Sequence, residues 1–73
     1  MLYDLYNKFS THYPGYLFGY RYTDLAIKLS VLDKNCRVAR KTVINLEATE
    51  DEAKLAWYTL LKELQPSEVS EGR

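Results

Sequence analysis

An α+β fold in the order α-β-β-β-α is predicted by three features of the sequence. Apolar residues recur at helical spacing near both ends, the period switches to two through the middle, and only short polar turns interrupt that alternation. Connections this short make the strands a three-stranded antiparallel meander, with the C-terminal helix packed on one face. Leu2, Leu5, Tyr6 and Phe9 trace the apolar stripe of a first helix, which Tyr13-Pro14-Gly15 interrupts. From Tyr16 the pattern becomes Tyr16, Phe18, Tyr20 and Tyr22 against Leu17, Gly19, Arg21 and Thr23, a first strand built on residues that favour pleated structure. Leu25, Ile27, Leu29 and Val31 define a second strand. Val38, Thr42, Ile44 and Leu46 define a third beyond the turn residues Asp33, Lys34 and Asn35.

The last helix, over 50–65, has the clearest boundaries. Thr49 and Glu52 form a capping box, in which the hydroxyl and the carboxylate satisfy backbone donors left free by the first turn. Glu50, Asp51 and Glu52 suit the positive end of the helix dipole. Ala53, Ala56, Trp57, Leu60, Leu61 and Leu64 share one stripe, and Gln65-Pro66 ends it. These elements make one small domain over 1–66, and the polar stretch 67–73 reads as a flexible tail.

Strand register decides which side chains share a face, because opposed residues of an antiparallel pair project to the same side. With Thr23-Asp24 as a two-residue turn, Tyr22 opposes Leu25, Tyr20 opposes Ile27, Phe18 opposes Leu29 and Tyr16 opposes Val31. A second two-residue turn at Lys34-Asn35 sets Val31 against Val38, Ile27 against Thr42 and Leu25 against Ile44. The aromatic and aliphatic rows then coincide under Trp57, with Tyr3, Tyr6 and Phe9 adding to the core. Tyr13, Tyr16 and Tyr22 emerge at the rim, where their hydroxyls reach water. Arg40 falls on the covered side opposite Leu29, so strand three is expected at an edge, with a distortion near Arg40. Gly19 within a strand suggests a bulge or a close backbone approach.

The opposite face follows by elimination. It carries Arg21, Lys28, Arg37 and Lys41 and no acid, with Lys28 expected opposite Lys41. The chain holds ten basic and ten acidic residues and is formally neutral. That neutrality conceals a separation. Between Tyr16 and Leu46 six bases face two acids, and from Glu47 onward seven acids face three bases, so the sheet is positive and the C-terminal part negative. Hydrophobic residues at 47% and charged residues at 27% describe an ordinary soluble domain, and no stretch reaches the roughly 20 apolar residues that span a bilayer. The start, with Asp4, Asn7 and Lys8, has no export pattern, and the single Cys36 excludes an internal disulfide. A cytoplasmic setting is therefore expected.

Little in the sequence points to catalysis. His12 and Cys36 are single, so no ligand pair has zinc spacing, and no metal or cofactor is expected. Cys36 lies beside a turn with its parity on the covered face, where a free cysteine acts as a small hydrophobe. Gly15, Gly19 and Gly72 stand apart, so there is no glycine-rich phosphate loop.

The element order, with Glu52-Ala53-Lys54 opening the last helix, is similar to double-stranded RNA-binding domains, although Glu50, Asp51 and Glu52 stand where those domains carry lysines. The strands and last helix also resemble the arm-type DNA-binding domains of tyrosine integrases, which lay a three-stranded sheet in the major groove. Both resemblances are of fold only and imply nucleic-acid binding through the basic face. The reading the residues favour is a non-enzymatic binding or regulatory protein. It docks an acidic protein partner through the basic face and edge strand, with Arg21, Lys28, Arg37, Arg40 and Lys41 as contact residues. The alternative is a DNA- or RNA-binding module using the same face. A homodimer through the sheet edge or the first helix is compatible with either.

Overall fold

A computed structural model describes residues 2–64, and the expected tail at 67–73 lies outside them. The order is α1 (Leu2–His12), β1 (Tyr16–Tyr22), β2 (Ala26–Asp33), β3 (Val38–Asn45) and α2 (Glu50–Glu63). The strands form one antiparallel sheet in the order β1-β2-β3, so the α-β-β-β-α meander is the fold. Among the described residues no helix is long and apolar enough to cross a membrane.

The chain forms α2 where the capping box starts it. Thr49 Oγ1 accepts from the Glu52 amide at 3.2 Å, and Glu52 Oε1 accepts from the Thr49 amide at 2.9 Å. The helix then lowers Ala53, Trp57, Leu60 and Leu61 onto the sheet, and α1 adds Leu2, Leu5 and Phe9. Both stripes meet Phe18, Ile27, Leu29 and Val31, and burying each large apolar side chain contributes about 1.5–3 kcal/mol. Trp57 sits at the centre, with the Phe9, Phe18 and Tyr20 rings at centroid distances of 5.3, 5.9 and 6.4 Å. Tyr3 departs from expectation: it occupies the exposed side of α1 and stacks on Tyr6.

Both hairpins differ in register from the sequence expectation, and the residues that stay paired keep their expected faces. Leu25 and Leu46, expected in the second and third strands, lie outside them, and Leu25 is 88% exposed. Tyr22 pairs with Ile27, Tyr20 with Leu29 and Phe18 with Val31. The cause is Thr23, which flanks the first turn instead of occupying it. Its hydroxyl accepts from the amides of Leu25 and Ala26, and its own amide donates to the Ala26 carbonyl at 2.9 Å. The turn is thereby centred on Asp24 and Leu25. Sliding a turn by one residue moves each partner by two, which preserves side-chain parity.

In the second hairpin the turn spans 34–37, four residues in place of two. Asp33 Oδ1 accepts from the amides of Asn35 and Cys36 at 2.9 and 3.3 Å, and the Arg37 amide closes onto the Asp33 carbonyl at 2.7 Å. Val31 therefore pairs with Arg40, Leu29 with Thr42 and Ile27 with Ile44. Cys36, expected on the covered face, is exposed in this turn. β3 is an edge strand as expected, but its ladder with β2 runs unbroken past Arg40 and shows no distortion there. The edge position alone frees the side chain. Gly19 pairs regularly with Ser30, so there is no bulge, and the close neighbour is the Ser30 side chain and not a backbone.

Closing the second turn puts Arg37 at a φ of 60°, a left-handed conformation that costs a residue bearing a Cβ about 1–2 kcal/mol. Arg37→Gly removes that strain and is expected to stabilise the protein by about 0.5–1 kcal/mol, read as a higher urea midpoint. A lower midpoint would mean that the arginine side chain supports the turn.

Candidate docking face

Both helices cover one face of the sheet, and among the described residues nothing covers the other. On the bare face the ladder places Leu17, Leu32 and Ala39 in one row, Gly19, Ser30 and Lys41 in the next, and Arg21, Lys28 and Val43 in the third. Ala26 and Asn45 complete it, and no acid projects from it. Leu17 and Val43 are 52% and 59% exposed, so the cations lie between accessible apolar side chains.

Of the five residues expected to contact a partner, the structure brings Arg21, Lys28 and Lys41 together. Lys28 is not opposite Lys41, as the shorter turn required. It stands directly across from Arg21, and Lys41 is its diagonal neighbour, opposite Ser30. Like charges facing one another across a ladder destabilise the free protein, so Arg21 and Lys28 are held together by the sheet against their own repulsion. None of the three has an ion-pair partner among the described residues.

Arg37 leaves the face for the turn. Arg40 lies on the helix side, where its Nε is 3.7 Å from Glu63 Oε1. With the two side chains 47% and 50% exposed, that pair is worth at most about 1 kcal/mol.

The sequence reading missed the floor between the cations. A depression of about 360 Å³ is lined by Arg21, Lys28 and Lys41 around Gly19 and Ser30. A methyl group built on Gly19 would stand 2.7 Å from Ser30 Oγ, so the glycine provides the room this hydroxyl occupies. From beneath, Trp57 Nε1 donates to the Ser30 carbonyl at 3.3 Å, fixing this backbone to the core. Only the glycine hinted at the depression, since pairing Gly19 with Ser30 depends on the register.

A second cavity of about 270 Å³ lies between α1 and α2, where Lys8 and Lys54 face Glu50 and Asp51 beside His12, Tyr13 and Tyr58. Its charges offset one another, so it selects no ion by sign. Among the described residues no group of three His, Cys, Asp or Glu side chains could hold a metal ion. The Tyr13 phenol is held above its ordinary pKa, first by its hydrogen bond with Tyr58, then by burial and the nearness of a second phenolate. A raised folded-state pKa favours the neutral phenol. Its contribution to stability is therefore present below the ordinary tyrosine value of about 10 and is lost as pH rises through the folded value. In Tyr58→Phe the Tyr13 ring resonances are expected to titrate at lower pH, with a smaller alkaline loss of stability. An unchanged titration would remove the hydrogen bond as the cause.

The chain has no significant match among protein-family models, curated proteins or solved structures. The class of protein is therefore defined by its fold and its bare face: a small α+β domain with a basic, partly apolar sheet surface.

Proposed function

We propose that this protein is a non-enzymatic docking module that binds an acidic segment of a protein partner on its bare sheet face and along the β3 edge. The observation that carries the reading is the cluster of Arg21, Lys28 and Lys41 among exposed Leu17 and Val43, with no acid on the face among the described residues. Charge supplies steering and selection against basic partners, and the apolar side chains supply contact area. A free edge strand accepts a further strand through its backbone groups. Two-fold self-pairing centred near Arg40 and Lys41 would bring cations against their own copies, which favours a foreign acidic strand over a second copy of this chain.

Nucleic acid is the competing ligand for the same cations. The strand aromatics Tyr16, Phe18, Tyr20 and Tyr22 all project to the helix side, so the bare face has no ring on which a base could stack. Titration of the labelled protein with a glutamate-rich peptide containing leucines separates the two readings. Amide shifts should concentrate on β1–β3, and affinity should fall with salt. Preferential binding of an oligonucleotide at the same positions, with a steep salt slope, would replace the protein partner with nucleic acid.

A further inference from the structure

The depression between Gly19 and Ser30 carries more donors than one carboxylate needs. Arg21 and Lys28 flank it from one row, and Lys41 closes it from the adjacent strand. Ser30 adds a hydroxyl that has no hydrogen-bond partner among the described residues, since the bond Ser30 makes to Trp57 is through its carbonyl. Three cationic residues and one hydroxyl-bearing residue line the same depression, and among the described residues no carboxylate lines it. A carboxylate brings a single charge and two oxygens. A phosphate monoester brings a charge of about −1.5 to −2 and three strong acceptor oxygens, which matches this donor set.

We propose that this depression is a phosphate-monoester subsite that receives a phosphorylated side chain of the docked protein. The inference rests on the docking reading above and specifies what anchors the partner. A single focus of cations differs from the track that a phosphodiester backbone requires, and the face has no aromatic platform for bases. The neighbouring apolar row of Leu17, Leu32 and Ala39, with Val43 on the other side, accommodates the peptide that flanks the phosphate. Phosphorylation of the partner then switches docking on by filling the site where like charges of this protein repel one another.

The test uses the full chain and follows its backbone amides by NMR. Inorganic phosphate, titrated against chloride at constant ionic strength, is expected to give saturable shifts at Gly19, Ser30 and Lys41. A leucine-containing peptide with one phosphoserine should bind at least about tenfold more tightly than the same peptide with serine. Lys28→Gln should remove most of that gain and Ser30→Ala part of it, whereas Lys54→Gln on α2 should leave it intact. Equal affinity for the two peptides, or phosphate shifts spread evenly over all surface lysines, overturns the subsite. The docking reading survives that result if the glutamate-rich peptide still binds the face, and falls with it if no peptide does. Tighter binding of an oligonucleotide than of the phosphopeptide overturns the subsite in favour of nucleic acid.

Discussion

Trp57→Ala is expected to lose about 3–5 kcal/mol of stability, the range for emptying a buried aromatic site. A domain of this size has about 4–11 kcal/mol in total, so the variant should lose a large share of its stability and approach unfolding at room temperature if the wild type lies near the lower end of that range. The wild-type side chain is 0% exposed, is ringed by Phe9 from α1 and Phe18 and Tyr20 from β1, meets the Ser30 carbonyl of β2 and shares its buried cluster with Ile27 and Leu29. Elements on three sides limit how far the cavity can collapse, and the Ser30 carbonyl loses the indole N–H that now meets it. Trp57→Phe keeps a ring and should fall between the two, separating volume from the hydrogen bond. Unfolding must be followed by far-ultraviolet circular dichroism, because Trp57 is the only tryptophan and its substitution removes the fluorescence signal. An alanine variant within about 0.5 kcal/mol of wild type, as expected of ordinary surface sites, would mean that α2 does not seal the sheet.

The same tryptophan shows what was readable from sequence. Alternation placed Phe18, Ile27, Leu29 and Val31 beneath it and turned Lys28 outward, as the structure has it. That assignment survived two wrong partner sets because each hairpin moved by an even number of residues. The turns themselves were harder to read. Thr23 and Asp33 close them with side-chain oxygens, and the left-handed position of the second turn is held by Arg37 where a glycine would have marked it.

The site was legible to the same degree. Parity alone collects Arg21, Lys28 and Lys41 on one face. The Arg21–Lys28 pairing, the Gly19–Ser30 depression, the loss of Arg37 to the turn and the exposure of Cys36 all depend on the register and the turn length. Sequence periodicity does not determine either.

Lys28→Glu should separate binding from stability, and it is the strongest test of the bare face. In the free protein the substitution turns the repulsive Arg21–Lys28 pair into a cross-strand ion pair, while Val43 on the other side is indifferent to charge. Stability should therefore rise, by about 0.2–1 kcal/mol at low salt, with the gain shrinking as salt screens the pair. Binding should move the other way. The local charge of Arg21, position 28 and Lys41 drops from plus three to plus one, and a carboxylate now stands on the central strand where an acidic partner must approach. Like-charge juxtaposition in an interface costs several kcal/mol, so affinity for an acidic or phosphorylated peptide should fall about 100-fold or more. Lys28→Gln, which removes the repulsion without adding an opposing charge, should show an intermediate loss of affinity. A residue that merely solvates the sheet surface would give no change in affinity. A residue needed for folding would give a loss of stability. Only a cation kept in an unfavourable place for the sake of a ligand gives a more stable protein that binds less well, and thermal unfolding with peptide titration on the same two variants measures both quantities.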